Sequence, residues 1–396
     1  MKIKTWLCAS ALACAGFAAT AVPAIASDAV RAAVLRVEHP RPLPISRLDL
    51  PPDDLGFAGG RVGTSDNATT GQFLNQVFET DYVSVPPEDA GDAMEALIAD
   101  GYQFIVTMAD APTLLELADA AQDRALLFNA TAPDNELRNV ECRANVVHPG
   151  LSRGMQADAL AQFLVFKRWT RWFLIEGSHP RDTAMADAYR AAAEKFGARI
   201  VEARVFEDTG GARRTDSGHV QVQAQLPVFT QRAREHDVVI LADESQVFAA
   251  HMPYHTWDAR PVAGSAGLRP VIWHPAQEAW GGTQLHTRFT RQIGREMREE
   301  DYAVWLAMRI LGEAATRSGS QDFTTMRDAI LGGGLEFAGF KGQAMTLRDW
   351  DHQIRQPVVL AADNIVVSVS PQDEFLHQFS PLDTLGTDRP ETGCNK

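Results

Sequence analysis

The chain has 396 residues, with 37 Lys and Arg against 51 Asp and Glu, so its formal charge near neutral pH is −14. This length is enough for two domains, each with its own hydrophobic core. An acidic surface repels nucleic-acid phosphates and anionic lipids, so we expect neither as a partner. The same charge is compatible with good solubility or with a cationic ligand.

The first 26 residues have the pattern of an export signal. Met1–Lys4 is cationic, residues 6–22 are apolar and rich in Ala, and Ala24-Ile25-Ala26 is the small-x-small pattern that signal peptidase requires. We therefore expect cleavage before Ser27 and a location in the periplasm of a Gram-negative bacterium. An exported protein works without cytosolic ATP, nicotinamide cofactors or reducing thiols, which excludes many functions of α/β proteins.

Cysteine usage becomes simpler once the leader is set aside. Cys8 and Cys14 fall within it, which leaves Cys142 and Cys394 in the mature chain. A single pair in an oxidising compartment favours a disulfide that would tie the C-terminus to the middle of the chain. The alternative is two free thiols, one buried and one in a loose tail.

Short apolar strands alternate with helical patterns along most of the chain. The predicted strands are residues 34–37, 78–85, 104–106, 126–128, 172–175, 200–206 and 238–241. The predicted helices are residues 89–100, 113–121, 184–196, 226–234 and 302–315, the last of them apolar nearly all round. A polar, Gly-rich stretch at 207–218 predicts an exposed loop. Alternation of this kind indicates parallel sheets covered by helices.

The pattern pauses at 129–150 and then restarts, which predicts two successive halves. The expected fold class is α/β, with two doubly wound parallel-sheet lobes and a ligand cleft between them. The expected divisions are a signal peptide at 1–26, an N-terminal lobe at 27–147 plus 276–345, a C-terminal lobe at 148–275 plus 346–372, and a C-terminal tail at 373–396.

Motifs of common enzymes are absent from the sequence. It lacks a P-loop, a His-Glu-x-x-His pair, a Gly-x-Ser-x-Gly elbow and a dinucleotide-binding Gly-x-Gly-x-x-Gly. His251 and His255 have a metal-site spacing, but Pro253 between them would break the helix that makes this spacing useful. We therefore expect a protein that is not an enzyme and has no cofactor and no metal.

Candidate ligand contacts follow the predicted strands, because parallel sheets bind ligands at the carboxyl ends of their strands. They are Thr107, Asp110, Asn129, Ala130, Thr131, Ser178, Asp243 and Glu244. Small residues would let backbone N–H groups approach an anionic ligand group, and Asp243 or Glu244 could pair with a cationic one. The alternative for each Asp, Asn and Ser is that it caps a helix.

Two stretches resemble the type I periplasmic binding proteins, the branched-chain amino acid and amide receptors of ABC transporters. Residues 129–133, Asn-Ala-Thr-Ala-Pro, are similar to the loop that holds the ligand carboxylate in that family. Phe340–Gly342 and Leu347–Asp349 are similar to its late stretch near the third crossover between lobes. The resemblance covers essentially the whole mature chain, and it implies a small-molecule ligand and an ABC permease as partner.

A narrower resemblance points to the subfamily associated with PQQ-dependent alcohol dehydrogenase systems. It is carried by residues 262–268, 273–274, 350–357, 375–377 and 382–386. A quinoprotein alcohol dehydrogenase is therefore a further candidate partner. The alternative to a transport receptor is an accessory protein of that dehydrogenase, which would bind PQQ, a metal ion or the enzyme itself.

The run 350–357 has two interpretations of its own. In the first interpretation, its Trp350 and His352 line the cleft or form a docking face. We favour the second interpretation, in which the run crosses between the lobes and packs the tail, with Arg355 paired to an acid.

One loop departs from the amino-acid receptors of the family. These usually have a Gly-Pro-x-x-Ser-type loop after the third strand, whereas residues 108–112 here are Met-Ala-Asp-Ala-Pro. A carboxylate at Asp110 would repel the carboxylate of an amino acid. Unless Asp110 points away from the cleft, we do not expect a standard branched-chain amino acid as ligand.

Overall fold

The computed structural model describes residues 29–41, 43–210 and 222–396. The predicted signal peptide lies outside these residues, and so does most of the loop predicted at 207–218. Within the described part of the chain, no helix is both long enough and apolar enough to cross a membrane.

The first sheet has five parallel strands in the order β2-β1-β3-β4-β5. Its strands are β1 (Val30–Val37), β2 (Phe78–Val85), β3 (Phe104–Met108), β4 (Leu126–Asn129) and β5 (Val146–Val147). The helices between them are α1 (Phe57–Leu74), α2 (Ala90–Ala99) and α3 (Ala111–Ala121).

Both faces of this sheet are covered, as its apolar central strands require. Val34 and Val106 point into the core on one face, whereas their neighbours Leu35 and Ile105 point into a separate core on the other. All four side chains are fully buried. The alternation follows from the two-residue period of a strand.

The second sheet has four parallel strands in the order β7-β6-β8-β9. In chain order its elements are α4 (Arg153–Phe166), β6 (Arg171–Gly177), α5 (Pro180–Phe196), β7 (Arg199–Phe206), α6 (Val222–Thr230), β8 (Val238–Ala242) and β9 (Val262–Gly264). The predicted α/β class with two parallel-sheet lobes is confirmed.

The rest of the chain returns to both lobes. The remaining elements are β10 (Arg269–Val271), α7 (Gly282–Ile293), α8 (Glu299–Ser318), α9 (Phe323–Leu331), β11 (Thr346–Leu347), β12 (Ile354–Arg355), β13 (Val358–Ala362) and β14 (Ile365–Ser370). Strands β10, β13 and β14 form an antiparallel sheet beside α4, and α8 packs against α1 of the first lobe. The helix predicted at 302–315 is confirmed as the buried core of α8.

Helix α1 was not predicted, because its sequence is polar and rich in Gly. The glycines serve its close packing on α8. A Cβ on Gly59 would lie 1.9 Å from the carbonyl oxygen of Asp301, and one on Gly63 would lie 2.6 Å from Met308 Cβ. Asn67 adds a hydrogen bond from its Nδ2 to the Met308 carbonyl oxygen, at 2.7 Å. Contact with α8, and not an apolar stripe, therefore stabilises this helix.

Two segments that cross between the lobes are hydrogen bonded to each other. His148 donates its backbone N–H to His352 and accepts one from Ile354. The buried Gln353 donates from Nε2 to the carbonyl oxygens of His148 and Gly150, at 2.8 and 3.0 Å. The segments that cross between the lobes are here named the hinge. These two hinge segments are paired through their backbone and are not loose linkers.

Lys341 and Gln356 extend this pairing. Gln356 donates from Nε2 to the carbonyl oxygen of Pro149 at 2.7 Å. Its Oε1 accepts from Lys341 Nζ at 2.8 Å, and the same ammonium group donates to the Pro357 carbonyl oxygen at 2.9 Å. Burial lowers the pKa of Lys341 well below its ordinary value. The stretch 340–342 thus contacts the crossing segments, as its resemblance to the family implied.

The second crossing leaves β10 at Val271 and is held by Glu299 at the start of α8. Glu299 Oε2 accepts the backbone N–H of Ile272 at 3.0 Å. Burial raises the pKa of this carboxyl group to about 7, although the charge of Arg269 acts in the opposite direction. An ionisable group therefore lies within the hinge.

The C-terminal tail is packed against the hinge and not frayed. Arg355 Nε donates to Asp383 Oδ1 at 2.8 Å, which confirms that Arg355 is paired to an acid and that the run 350–357 packs the tail. Cys142 and Cys394 form a disulfide with a Cα–Cα distance of 5.6 Å.

Gly59→Ala should destabilise the protein by about 1–3 kcal/mol, because the new Cβ overlaps the Asp301 backbone and forces α1 away from α8. The matched control is Gly91→Ala in α2, where a Cβ would meet no atom within 4 Å. It should be neutral or stabilise by up to about 1 kcal/mol. Urea unfolding measures both, and equal stability of the two variants would contradict the proposed packing role of Gly59.

Glu299→Gln should flatten the pH dependence of stability. Between about pH 4.5 and 7 the folded protein keeps a proton on Glu299 that the unfolded chain has lost, so stability falls as the pH rises through this window. The variant cannot lose that proton. The difference between its free energies of unfolding at pH 5 and pH 8 should be smaller than in the wild type by about 1–3 kcal/mol.

Urea unfolding at both pH values measures this difference. Glu336→Gln, at an exposed position of the same lobe, is the control and should keep the wild-type pH profile. A Glu299→Gln profile parallel to the wild type would show that this carboxyl group does not control the dependence.

Candidate functional site

Two predicted site residues, Thr107 and Asn129, lie at the carboxyl ends of β3 and β4, where both are 1% exposed. Thr107 Oγ1 donates to the Phe128 carbonyl oxygen at 3.3 Å. Asn129 accepts the backbone N–H of Ala132 and donates to its carbonyl oxygen, both at 2.9 Å. The structure therefore gives both side chains internal partners that shape the loop after β4.

Asn129 also fixes the state of His148 beside the hinge. Its Nδ2 lies 3.1 Å from His148 Nδ1, which can accept a hydrogen bond only when the imidazole is neutral. Burial lowers the pKa of His148 well below its ordinary value, so the ring is neutral at physiological pH. The loop after β4 is in this way joined to the first crossing segment.

Asp110 occupies the N-terminus of α3. Its carboxylate accepts the backbone N–H of Thr113 at 3.1 Å and lies 3.4 Å from His39 Nε2. The side chain is 48% exposed. The capping alternative is therefore confirmed for this residue, and the carboxylate occupies the end of the helix where an anion would otherwise bind.

Ala130 and Thr131 form the turn at the same edge, where Ala130 is buried. Ala130 donates its backbone N–H to the Thr107 carbonyl oxygen, which keeps the turn against β3. The partly buried Thr131 donates from Oγ1 to the Ala109 carbonyl oxygen at 3.1 Å. The loops after β3 and β4 are therefore joined through the Thr131 hydroxyl.

On the second lobe, Asp243 follows β8 and is 2% exposed. Its two carboxylate oxygens accept the backbone N–H groups of Val247, Phe248 and Ala249, at 2.9, 2.8 and 2.7 Å. Burial raises the pKa of Asp243, although these three donors act against the rise. The carboxylate organises its own loop and leaves little accepting capacity for a ligand.

Ser178 lies in the exposed loop after β6, where its Oγ accepts the backbone N–H of Asp208 at 3.0 Å. Asp182 in the first turn of α5 accepts the backbone N–H of Ser245 at 2.8 Å. The loop after β8 is thus bound to the start of α5, the helix that follows β6.

Arg153 joins the two edges, and sequence reasoning missed it. Its Nε and Nη2 donate to the two carboxylate oxygens of Glu244, both at 2.8 Å, and its Nη1 donates to Asp134 Oδ1 at 2.8 Å. Asp134 follows β4 of the first sheet, and Glu244 follows β8 of the second. The carboxyl edges of the two sheets therefore face each other across this guanidinium group.

The electrostatics of this contact favour the charged form of Arg153. Burial acts to lower the pKa of Arg153, but the hydrogen bonds and charges of Glu244 and Asp134 outweigh it and raise the pKa. The Arg153 side chain is 8% exposed, whereas those of Glu244 and Asp134 are 24% and 32% exposed. Glu244, predicted to pair with a cationic ligand, is in this structure paired with Arg153.

The structure places the predicted site residues on the two facing edges. Asp110 and Thr131 lie on the first, Ser178 and Glu244 lie on the second, and Thr107, Asn129, Ala130 and Asp243 are buried. Among the residues that the structure describes, no three His, Cys, Asp or Glu side chains are grouped to hold a metal ion.

Residues 77–225 match the family model described as periplasmic binding protein. No curated protein is similar enough in sequence to match the chain.

Solved structures with the same fold are distant in sequence. A leucine-, isoleucine-, valine-, threonine- and alanine-binding protein from Brucella ovis, in its closed conformation, is 16% identical. The match covers 89% of this chain and 97% of that one, with a TM-score of 0.71. A solute-binding protein of an ABC transporter from R. palustris, in complex with benzoate, is 11% identical, with 93% and 100% covered and a TM-score of 0.65.

A branched-chain amino acid ABC transporter ligand-binding protein from Burkholderia xenovorans is also similar in fold and distant in sequence. It is 15% identical, with 86% of this chain and 95% of that one covered and a TM-score of 0.65. The predicted resemblance is therefore confirmed: the chain has the fold of the type I periplasmic binding proteins, and its residues 77–225 have the sequence pattern of the periplasmic binding protein family.

Proposed function

We propose that the chain is a periplasmic solute receptor that binds a small molecule between its two lobes and delivers it to the permease of an ABC transporter. The Asp134–Arg153–Glu244 contact is the observation that supports this proposal, because it joins the carboxyl edges of the two sheets. Parallel α/β sheets bind ligands at these edges. Closure of two lobes around a ligand is the conformational change by which such receptors report occupancy.

We infer lobe boundaries at 27–147 plus 276–345 and at 148–275 plus 346–372, with the tail at 373–396. Two features support them. Strand β5 ends at Val147, directly before the first crossing segment. Helix α8 packs on α1, whereas β13 and β14 pack on α4.

Direct ligand contacts are assigned to the side chains on the surface of the two edges. These are Asp110, Thr131, Ser178 and Glu244. Thr107, Asn129 and Asp243 hold the loops in place, because their polar atoms bond within the protein. The Thr131 hydroxyl can turn from the Ala109 carbonyl oxygen to a ligand oxygen with a change of one torsion angle.

A standard branched-chain amino acid fits these edges poorly. Asp110 already occupies the N-terminus of α3, where it would repel a ligand carboxylate. Glu244, the acid available for a ligand ammonium group, is paired with Arg153. Similar folds hold benzoate or 3,4-dihydroxybenzoic acid. These acids have no ammonium group but carry a carboxylate that Asp110 would also repel, so aromatic compounds with and without a carboxylate are the first to test.

The link to PQQ-dependent alcohol oxidation rests on sequence resemblance. The run 350–357 that carries part of it packs in the hinge and against the tail. Ligands tested should therefore include alcohols, aldehydes and PQQ beside aromatic acids and amino acids. An accessory role would show as co-purification with the dehydrogenase and not with a permease.

A thermal-shift screen of the mature protein against these compounds should find a ligand that raises the melting temperature, because a ligand that binds only the folded state stabilises it. No shift with any compound, together with capture of the dehydrogenase, would contradict the receptor function.

Thr131→Val should weaken binding of the ligand so found by about 2–10-fold, the equivalent of one lost hydrogen bond. Isothermal titration calorimetry measures the affinity. Thr69→Val is the matched control, because Thr69 lies on the exposed side of α1, far from both edges, and it should bind like the wild type. An unchanged affinity of Thr131→Val would remove this loop from the site.

Arg153→Met should lower the free energy of unfolding by about 1–3 kcal/mol, because two partly buried carboxylates lose their shared cation. Urea unfolding measures the loss. The control is Arg190→Met, which breaks pairs with Glu176 and Asp187 within the second lobe and should cost at most about 1 kcal/mol. Equal losses of unfolding free energy in the two variants would show that the contact across the cleft stabilises the protein no more than the Arg190 pairs do.

A further inference from the structure

Residues 373–396, here named the tail strap, begin on the second lobe. The ring of Phe375 packs edge-on against Phe196 of α5, with centroids 5.2 Å apart. Gln162 of α4 donates from Nε2 to Thr384 Oγ1 at 2.7 Å. Leu382 and Leu385 are 3% and 0% exposed. The first part of the strap is therefore a packed element of the second lobe.

The middle of the strap lies on the hinge. Asp383, which is 1% exposed, accepts from Arg348 Nε at 2.9 Å and from Arg355 Nε at 2.8 Å. Arg348 Nη2 also donates to the carbonyl oxygens of Leu382 and Leu385, at 2.9 and 2.8 Å. Both arginines belong to the crossing stretch that contains Gln353. The strap is therefore bound to the segment that must bend when the lobes move.

Gly386 is bound to two helices of the second lobe. Its backbone N–H donates to Asp158 Oδ2 at 2.8 Å, and its carbonyl oxygen accepts from Lys195 Nζ at 2.9 Å. Asp158 lies on α4 and Lys195 on α5, and they contact each other at 2.9 Å. The strap is thus fixed to the second lobe at this residue. The next carbonyl oxygen, that of Thr387, accepts from Arg348 Nη1 and Trp350 Nε1, both at 3.2 Å.

The far end of the strap is attached to the first lobe. Gly393 donates its backbone N–H to the side-chain oxygen of Asn139, and Cys394 forms the disulfide with Cys142. Asn139 and Cys142 lie in the connection between β4 and β5 of the first sheet. Between the two fixed ends, Arg389 pairs with Asp349 of the hinge.

We propose that the tail strap is a tether that limits how far the two lobes open, and that its disulfide makes this limit dependent on redox conditions. The inference rests on the proposed function in so far as lobe opening is the motion of a solute receptor. Seven residues lie between Gly386 and Cys394, and the eight steps from the first Cα to the last span at most about 29 Å when fully extended. In the structure part of it is coiled at 389–391. The contacts of Thr387, Arg389, Glu391 and Gly393 must break before it can extend.

Reduction releases one end only. A dithiol reductant supplies two electrons and two protons, becomes a disulfide itself, and leaves Cys142 and Cys394 as thiols. Both cysteines are partly exposed, and the neighbouring Gly393 and Asn395 are exposed, so a small dithiol can reach the bond. The Asp383 and Gly386 contacts stay, so the strap remains on the second lobe while its attachment to the first is reduced to single hydrogen bonds.

Small-angle scattering of the ligand-free protein, with and without dithiothreitol, tests the tether. The radius of gyration should increase on reduction while circular dichroism stays that of the folded protein. Mass spectrometry after thiol alkylation verifies that the bond is open. An unchanged radius of gyration with the bond open would overturn the proposal.

A second variant separates the tether from the loss of the bond itself. Insertion of Gly-Ser-Gly-Ser between Thr392 and Gly393 keeps the disulfide but lengthens the strap. It should give the increase in radius of gyration without reductant. The same insertion between Gly333 and Gly334, where there is open space around the backbone, is the control and should leave the value unchanged.

An insertion in the strap that behaves like the control would overturn the proposal, even if reduction opens the protein. None of these measurements needs a ligand, so their result is independent of the ligand screen. A ligand that binds while all strap variants scatter like the wild type would leave the receptor function intact and remove the tether.

Discussion

The hydrogen bonds of Gln353 are the constraint on which the arrangement of the lobes depends. One buried side chain bonds the carbonyl oxygens of His148 and Gly150 and accepts from Arg138, so it holds two crossing segments and the loop after β4 together. Buried amides are costly when they lack partners, which makes this geometry specific. Gln353 thus holds the loop after β4, which faces the cleft, in place through Arg138.

Charge in the cleft is largely compensated within the protein. Asp110 caps α3, Asp243 accepts three backbone N–H groups, and Glu244 shares Arg153 with Asp134. An acidic chain therefore does not present a correspondingly acidic site. The negative charge seen in the composition says little about the ligand, because the carboxylates nearest the cleft already have donors.

Several parts of this organisation were predictable from local pattern. Short, fully apolar runs such as 104–106 and the helix at 302–315 identified the sheets and the buried helix, because burial on both sides leaves a direct trace in sequence. Helix α1 left no such trace, since Gly59 and Gly63 are there for contact with α8. Arg153 was equally invisible, because its partners lie 19 and 91 residues away in the chain. The capping of α3 by Asp110 could be predicted as an alternative, but only the structure distinguishes it.

The sequence by itself determined the alternation of strands and helices, the two-lobed α/β class, the candidate loops and the pair of cysteines that could meet. Those features follow from local periodicity and from residues that act one at a time. Only the tertiary structure decided which polar groups bond to one another: that Glu244 pairs with Arg153, that Asp383 holds two arginines of the hinge, and that the tail reaches both lobes. Such contacts join residues far apart in the chain, and their energy depends on distance and burial, which no local pattern encodes.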